Sequence, residues 1–373
     1  MLSGTLFDGT RVLHDCAVVI EGARISGIVP WRDIASTMPA HSLPEGAWLA
    51  PGFIDTQVNG GSDVLFNDRP TPEGIAAIVG AHRQFGTTAL LPTLISDTSD
   101  KMCRAIAAVR SIMPTEPGVL GIHLEGPFLS PDKPGVHDPA MLRAPDERDG
   151  EILTSRAAGV ALVTLAPERV PAGFIGDLVR AGVRVSLGHS LATYAETKAA
   201  LAEGLTGFTH LFNAMRPLAS RDPGPIAAAL ETSCAWFGMI VDGHHVDPAM
   251  LRLALRGAAR PMLVTDAMPT VGGSASTFVL NGTEISLADG RCTRADGTLA
   301  GAHLDMASAV RNSVGLLDVP LTDALRFASA EPASFLGLAD TLGHVTPGHR
   351  ADLVAFDPGS LHVYETWVAG RMR

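Results

Sequence analysis

The chain has 373 residues, 46% of them hydrophobic and 18% charged, which is enough for one large barrel domain with a smaller unit beside it. Its formal net charge of −11 argues against a nucleic-acid-binding protein, although a few local cations could still hold a small anionic substrate. No stretch approaches the roughly 20 uninterrupted apolar residues of a membrane span, and the N-terminus lacks a signal-peptide pattern, so we expect a cytoplasmic protein that contacts no membrane.

The lysines and cysteines exclude two further kinds of chemistry. The three lysines are Lys101, Lys133 and Lys198. Lys101 and Lys198 fall in helix-like stretches, so a Schiff base formed by a lysine at a strand end is not expected. Widely spaced cysteines without a CxxC pair indicate reduced, structural thiols rather than a disulfide framework or a cysteine-only zinc site. The four are Cys16, Cys103, Cys234 and Cys292.

The two ends of the chain have a different pattern from the middle. Residues 1–49 contain short alternating runs and turn signals, as in VVIEGARISGIVP, and residues 342–373 do the same, as in ADLVAFDPGS. We predict that both ends join into one small β-sandwich domain, beside a larger domain over residues 50–341.

Eight apolar runs of strand length recur between the two ends, and several of the segments between them are amphipathic and helix-like. The helix-like segments include 72–85, 100–111, 193–203 and 248–257. Near-continuous apolar strands that alternate with helices are typical of a buried parallel sheet, and eight such units predict an α/β fold, the (β/α)8 barrel. A doubly wound open sheet is the alternative. The runs are PGFID (51–55), TALLPT (88–93), VLGIHLE (119–125), VALVTLA (160–166), VRVSLGH (183–189), LTGFTH (205–210), WFGMIVD (236–242) and PMLVTD (261–266).

Residues 272–298 interrupt this rhythm after the eighth run. They carry three hairpin turn pairs, Asn281-Gly282, Asp289-Gly290 and Asp296-Gly297. We predict a β-hairpin insertion that places a loop over the mouth of the barrel.

Polar residues stand at the carboxyl ends of the runs, where barrels of this class place their active sites. The alternative is that these residues are polar only because the strand ends lie at the protein surface. That alternative predicts any polar residue, and not His, Glu and Asp gathered on the third, fifth, sixth and eighth strands. The residues concerned are Asp55, Gln57, Asn59, His123, Glu125, His189, His210, Asp242 and Asp266.

Glu125, His189 and His210 end three different predicted strands, so a barrel would bring them together. Imidazole and carboxylate suit zinc, iron or cobalt, and a hydrolytic metal needs about three protein ligands and one open position for water. Asp266, in LVTDAM, is the expected general base, because a carboxylate there could take a proton from water and return it to a leaving nitrogen. A helix N-cap after the eighth strand is its alternative role.

An ordered set of motifs closely resembles the N-acetylglucosamine-6-phosphate deacetylases of the amidohydrolase superfamily. The resemblance runs along nearly the whole chain, and the ordered set is specific although single motifs such as GHS are not. It implies the barrel, the sandwich and a homodimer. The motifs are PGFIDTQVNG (51–60), GIHLEGPF (121–128), GHS (188–190), THLFNAM (209–215), DGHHVD (242–247), LVTDAM (263–268), LAG (299–301) and GHRADLVAFD (348–357).

The resemblance also implies roles for single residues. By position, Glu125, His189 and His210 are similar to the metal ligands of the family, and Asp266 to its general acid and base. His137 is similar to a histidine near the reacting carbonyl. The implied substrate contacts are Val136, Asn213, Ala214, Arg221, His245, Leu299, Ala300 and Gly301.

Two departures from the wider superfamily stand out. Gln57 and Asn59 occupy the positions where many amidohydrolases have an HxH pair for a second metal, and neutral amides are poor ligands for a transition metal. The fourth run also lacks the lysine that some relatives carbamylate, so the pattern indicates a single-metal enzyme with remnants of a second site. His303 and Asp305 follow LAG where smaller hydroxyl residues are expected.

The expected reaction is hydrolysis of N-acetyl-D-glucosamine 6-phosphate to D-glucosamine 6-phosphate and acetate, with one divalent metal per chain, zinc first and iron or cobalt as alternatives. We expect Arg221 and His245 to bind the phosphate, reaching the neighbouring subunit's site. The alternatives are N-acetylgalactosamine 6-phosphate as substrate, another hydrolase of the superfamily such as a dihydroorotase-like or D-aminoacylase-like enzyme, and a non-catalytic amino-sugar-phosphate sensor. A sensor would have lost a ligand or the aspartate, and the sequence keeps all of them.

Overall fold

Eight parallel strands form the central barrel in the computed structural model, which describes residues 2–34, 39–155 and 159–372. They are hydrogen-bonded in chain order, and each of the eight apolar runs contributes one of them. The predicted barrel is therefore confirmed, and the open-sheet alternative is wrong. The strands are Phe53–Val58, Thr87–Ile95, Gly121–Glu125, Val160–Leu165, Arg184–Leu187, Gly207–Phe208, Trp236–Met239 and Arg260–Leu263.

The barrel closes between its first and eighth strands, at the level of the polar residues. Asp266 N–H donates to the carbonyl of Gln57 at 3.0 Å, and Asn59 N–H donates to the carbonyl of Ala267 at 2.9 Å. Asp55, buried below them, accepts hydrogen bonds from the Thr265 hydroxyl at 2.5 Å and from Gln57 N–H at 3.1 Å. The seam that completes the barrel is thus also the segment that carries Gln57, Asn59 and Asp266.

Helices surround the barrel where the amphipathic segments were predicted. Several begin at a side-chain cap, as at Thr71 and Thr193, whose hydroxyls accept backbone N–H groups of the first turn. Their apolar faces pack on the strands in one large core. Among the described residues, no helix is long and apolar enough to span a bilayer. The helices are Pro72–Arg83, Ser99–Ile112, Glu147–Thr154, Phe174–Arg180, Tyr194–Ala202, Gly224–Leu230, Pro248–Ala254, Met306–Leu317, Leu321–Ala328 and Ala330–Leu336, with 3-10 turns at Trp31–Asp33, Pro139–Met141 and Pro167–Arg169.

Both chain ends contribute strands to a second, mostly antiparallel sheet. Its core contains Leu6, Val18, Leu49, Leu353 and Trp367, so neither end could bury its apolar face without the other. Strands from both ends fit the separate domain that was predicted as a small β-sandwich, and its eight strands form one hydrogen-bonded sheet. The exact domain boundaries stay a prediction. The strands are Leu2–Phe7, Val12–Glu21, Arg24–Pro30, His41–Ser42, Trp48–Pro51, Leu353–Phe356, Val363–Val368 and Arg371–Met372.

The segment after the eighth strand forms a four-stranded antiparallel sheet, which we call the insertion: Thr277–Leu280, Thr283–Ala288, Arg291–Thr293 and Leu299–Ala302. Two of the predicted turn pairs, Asn281-Gly282 and Asp289-Gly290, have positive φ at both residues, as a two-residue hairpin turn requires. The LAG motif forms the last strand, which returns the chain to the barrel mouth. A short pair, Gly60–Gly61 and Val64–Leu65, lies beside the first barrel strand.

Candidate active site

Glu125, His189 and His210 converge at the carboxyl ends of the third, fifth and sixth strands. His210 Nε2 lies 3.0 Å from Glu125 Oε1 and 3.1 Å from His189 Nε2, and His189 Nε2 lies 3.4 Å from Glu125 Oε1. All three side chains are buried. Ligands placed about 2.0–2.1 Å from a tetrahedral metal are about 3.4 Å apart, so this triangle is close in size to one face of a tetrahedral coordination shell.

The two histidines reach this position through an unusual backbone. His189 and His210 each stand two residues beyond the last strand residue, and both have positive φ, 49° and 34°. Non-glycine residues rarely adopt this conformation, and when they do they are concentrated at functional sites. His189 Nδ1–H donates to the carbonyl of Lys133 at 2.8 Å, which leaves the lone pair of Nε2 directed at the triangle.

The charges of this cluster favour a cation at its centre. Burial would raise the pKa of Glu125, but the close imidazoles of His189 and His210 hold that pKa well below its ordinary value. Glu125 is therefore ionised, and two imidazole nitrogens face each other beside it at 3.1 Å. A carboxylate and two imidazoles within 4.8 Å of one another are a donor set that fits one divalent metal ion.

Asp266 faces the triangle from just beyond the end of the eighth strand, with φ at 51°. Asn59 Nδ2 and Gln57 Nε2 donate to its Oδ1 at 2.6 and 3.2 Å, and Gln57 Nε2 also donates to Glu125 Oε1 at 3.1 Å. Burial and the charge of Glu125 raise the pKa of Asp266 to about 6. The next described helix begins only at Met306, so the helix N-cap alternative for Asp266 is wrong.

His137 lies in the loop after the third strand, buried against the same cluster. Its Nδ1 accepts from Ser96 N–H at 3.2 Å and lies 2.8 Å from Ser96 Oγ, so the proton is on Nε2, which points toward Glu125 Oε2 at 3.9 Å. Burial and the nearby His189 lower the pKa of His137 to about 3. His137 is therefore a neutral N–H donor aimed at the centre of the site.

A cavity of about 370 Å³ opens above these residues, and most of the predicted substrate contacts line it. Val136, Asn213, Ala214, Leu299 and Gly301 lie on its wall, together with Ile95, Ile240 and Met268. Two predicted contacts do not. The side chain of Ala300 is buried in the insertion, and Arg221 lies outside this cavity, exposed at the tip of a turn.

His245 lines the cavity of its own chain. Its Nδ1 lies 2.6 Å from Asp242 Oδ2, while Asp242 Oδ1 accepts the backbone N–H groups of His244 and His245. Burial would raise the pKa of Asp242, but these hydrogen bonds with His245 lower it, so the carboxylate stays ionised. An ionised Asp242 holds the ring so that Nε2 is the nitrogen available to a ligand.

Sequence reasoning missed the groups that hold the site residues in place. Ser96 fixes His137 and follows directly after the second strand, so its place at a strand end was a usable signal. The carbonyl of Lys133 leaves no such signal in the sequence, because every residue has a backbone carbonyl. His303 lies beside Thr270, with Nδ1 2.9 Å from Thr270 Oγ1, and Asp305 caps the helix Met306–Leu317, so neither lines the cavity. Thr164 stands in the fourth strand, which contains no lysine.

A match to a family model identifies the family of this chain. Residues 48–372 match the Amidohydrolase family, which covers the whole barrel and the C-terminal strands. The chain belongs to the amidohydrolase family. Members of this family are generally metal-dependent, in agreement with the cluster of Glu125, His189 and His210.

Within the amidohydrolase family, the chain is similar to two groups of deacetylases. It is 39% identical to an N-acetylgalactosamine-6-phosphate deacetylase of a Shewanella species, over 98% of this chain and 95% of that protein. It is 34% identical to the N-acetylglucosamine-6-phosphate deacetylase of Haemophilus influenzae, over 100% and 98%. The crystal structure of the N-acetylglucosamine-6-phosphate deacetylase from Pasteurella multocida superimposes with a TM-score of 0.96, at 34% identity, over 100% of this chain and 98% of that one.

Proposed function

We propose that this amidohydrolase hydrolyses the acetamide of N-acetyl-D-glucosamine 6-phosphate, giving D-glucosamine 6-phosphate and acetate. The observation that carries the proposal is the convergence of Glu125, His189 and His210 below a cavity whose wall also holds Asp266 and His137. The relatives indicate the substrate class, because they are deacetylases of N-acetylhexosamine 6-phosphates.

Glu125, His189 and His210 would hold one divalent metal. When bound, such a metal lowers the pKa of a water molecule and polarises a carbonyl. Zinc is the first expectation, iron and cobalt accept the same ligands, and the metal's identity stays a prediction, as does the cytoplasmic location. Gln57 and Asn59 direct N–H groups at Asp266 and Glu125, which supports their assignment as remnants of a second site rather than as ligands.

Asp266 is the proton carrier of the reaction. Both amide donors use its Oδ1, so Oδ2 is the oxygen available to take a proton from the attacking water and to deliver it to the departing amine. His137 donates its Nε2–H to the acetamide oxygen, on which negative charge develops as water attacks. A neutral donor suits this task, because it does not compete with the carboxylates for protons.

The phosphate lies at the other side of the cavity, near His245 and the Asn213-Ala214 backbone. Within the described residues, no arginine lines this cavity, although a phosphate dianion favours a bidentate guanidinium. Arg221 projects from a tight turn closed by two hydrogen bonds between Ala219 and Asp222, and it is exposed. We infer a homodimer in which Arg221 reaches the neighbouring subunit's cavity. His245, which was expected to do the same, instead lines the cavity of its own chain.

N-acetyl-D-galactosamine 6-phosphate is the second candidate substrate. It is favoured by the 39% identity to a deacetylase that carries this name, which exceeds the 34% identity to the Haemophilus influenzae enzyme. The two sugars differ at one hydroxyl, and the reacting acetamide and the phosphate are the same in both. The chemistry proposed for Asp266 and His137 therefore holds for either substrate.

An acetate-release assay tests both candidates. The panel contains the 6-phosphates of N-acetylglucosamine and N-acetylgalactosamine and the two unphosphorylated sugars, with the metal content measured on the same sample. We expect the highest kcat/KM on N-acetylglucosamine 6-phosphate and slow turnover of the free sugars. Preference for the galactosamine epimer would select the second candidate, and no acetate release from any sugar by metal-loaded protein would favour the sensor and refute the proposal.

A further inference from the structure

The insertion and the loop after the third strand meet at Val136. Val136 is buried, with 9% of the residue exposed, in an apolar cluster that includes Leu280, Ile285 and Cys292 of the insertion. Its carbonyl oxygen accepts two hydrogen bonds from the same insertion. The donors, Asn281 Nδ2 at 3.1 Å and Arg294 Nη2 at 3.3 Å, are side-chain groups that come from different strand ends.

The loop segment that contains Val136 touches the active site on both sides of this residue. His137 follows Val136 directly, and its ring is held by Ser96. The carbonyl of Lys133 orients His189, and Gly135 passes so close to His189 that a Cβ there would lie 3.0 Å from the imidazole. A shift of this segment would therefore move the N–H donor and a metal-binding histidine together.

We propose that Asn281 and Arg294 are positioning residues for the deacetylation: they hold the Val136 carbonyl and thereby fix residues 133–137 in the arrangement that aims His137 and orients His189. This inference rests on the proposed function. Two donors on one oxygen are needed because a loop carbonyl held by a single side chain can still pivot about that hydrogen bond. With two donors and a buried valine side chain, the segment is fixed at three points.

Both donors stand on rigid supports. Asn281 is the first residue of a tight hairpin turn, with φ at 51°. Arg294 begins a turn in which its own N–H donates to the Thr298 carbonyl at 2.9 Å and its carbonyl accepts the Gly297 N–H at 2.9 Å. Because both residues stand in ordered turns, their side chains can hold the Val136 carbonyl at a fixed position relative to the insertion.

The insertion has its own anchor, so its fold does not depend on these two donors. Asp63 accepts the backbone N–H groups of Ser274 and Ala275 and the hydroxyl of Ser274, at 3.0–3.1 Å. This anchor lies at the base of the insertion, before its first strand. Substitutions at Asn281 and Arg294 should therefore release the loop while the insertion stays folded.

The test uses two variants that spare the fold and one matched control. Asn281→Asp keeps an Asp-Gly turn, which favours the same hairpin geometry, but replaces the amide donor with an acceptor. Arg294→Ala removes the second donor. Arg291→Ala is the control, because it removes an arginine from the same insertion whose side chain is 48% exposed and pairs with Asp289. Each protein is assayed with its metal bound, and amide hydrogen exchange is followed by mass spectrometry.

The double variant Asn281→Asp/Arg294→Ala should lose about 10- to 100-fold in kcat, with a smaller change in KM, because misplacing a group that acts in the transition state affects kcat. Peptides covering residues 130–141 should exchange faster, and peptides covering 283–293 should not. Arg294→Lys, which keeps a donor, should recover part of both effects, and Arg291→Ala should match the parent protein.

Unchanged kcat and unchanged loop exchange in the double variant would overturn the positioning role. Equal acceleration of exchange in the insertion peptides would also overturn it, because the two residues would then maintain the insertion itself. The exchange measurement needs no substrate. If the parent protein released no acetate, the proposed function would fail while the loop exchange still decided whether the two donors hold the segment.

Discussion

Asn59 donates through Nδ2 to Oδ1 of Asp266 at 2.6 Å, across the seam where the first and eighth strands close the barrel. A carboxylate oxygen only accepts hydrogen bonds when ionised, so it fixes the amide with its nitrogen toward the site. Gln57 is oriented in the same way by two carboxylates. Two residues at the positions of an HxH pair therefore serve as hydrogen-bond donors to Asp266.

This orientation predicts one divalent metal ion per chain. Protein purified without added metal should contain about one equivalent by elemental analysis, because three good ligands are present and the amide nitrogens cannot bind a cation. Glu125→Gln should lose most of this metal, since it removes the ionised ligand. Two equivalents per chain at full activity would make Gln57 or Asn59 a ligand and would refute the single-metal assignment.

Asp266→Asn should abolish proton transfer while preserving the shape of the side chain. General acid–base catalysis contributes about 10²–10⁴-fold, so kcat should fall by at least that range, with one equivalent of metal still bound. Asp289→Asn, at a side chain that is 89% exposed, is the control for loss of one negative charge. If Asp266→Asn kept more than about a tenth of the activity, another base would be required.

The convergence of the candidate site residues was predictable because they lie at the ends of buried strands. Glu125, His189, His210 and Asp266 interrupt apolar runs that have no other reason to end in ligand or acid–base residues, and the barrel then brings them together. The carbonyls of Lys133 and Val136 were not predictable. Their roles depend on loop contacts between segments far apart in sequence, and backbone groups carry no side-chain signal.

His137→Asn should lower kcat about 10²- to 10³-fold, the loss measured when one oxyanion donor is removed from other enzymes. The pH dependence is the sharper observation. With a pKa of about 3, His137 is neutral throughout the working range, so it contributes no ionisation there. The pH–rate profiles of the variant and the parent should therefore have the same shape at different heights. Loss of one limb of the profile in the variant would show that His137 transfers protons.

Asp55 links the pH of the solution to the stability of the barrel. Burial raises the pKa of Asp55 from 3.8 to about 7, although hydrogen bonds from Thr265 and Gln57 oppose the rise. Between these two values the folded chain holds a proton that the unfolded chain has lost, so the stability contributed by Asp55 falls by about 1.4 kcal/mol for each pH unit as pH rises. Above about pH 7 both states are ionised and the contribution becomes constant.

Asp55→Asn removes this ionisation and keeps the side-chain shape. The melting temperature of the parent relative to that of the variant should therefore decrease between about pH 4 and pH 7, and stay level above it. Asp289→Asn, at an exposed side chain, is the control measured in the same buffers. A parent-minus-variant difference that did not change with pH would mean that Asp55 is ionised in the folded protein throughout this range.

Arg221→Ala should discriminate between phosphorylated and unphosphorylated substrates. Arg216 holds the loop that carries Arg221, donating to Asp222 Oδ2 at 2.6 Å and to the Leu191 carbonyl at 2.8 Å, so the exposed arginine stands on an ordered turn. A hydrogen bond to a charged group is worth ~1.5–3 kcal/mol, which corresponds to about 10- to 150-fold. We expect kcat/KM for the 6-phosphate to fall by that range or more.

The slow rate on unphosphorylated N-acetylglucosamine should barely change in this variant, because the acetamide end of the site does not contact Arg221. Arg256→Ala, at another exposed arginine, is the matched control and should leave both rates unchanged. Because Arg221 lies outside the cavity of its own chain, the test also addresses the dimer. Arg221→Ala and Asp266→Asn chains, each impaired toward the phosphorylated substrate, can be mixed to give heterodimers. In such a heterodimer one cavity has an intact Asp266 and receives Arg221 from its neighbour. Recovery of activity on mixing would support a shared site, whereas an equal loss on both substrates in the single variant would show that Arg221 maintains the fold and does not bind phosphate.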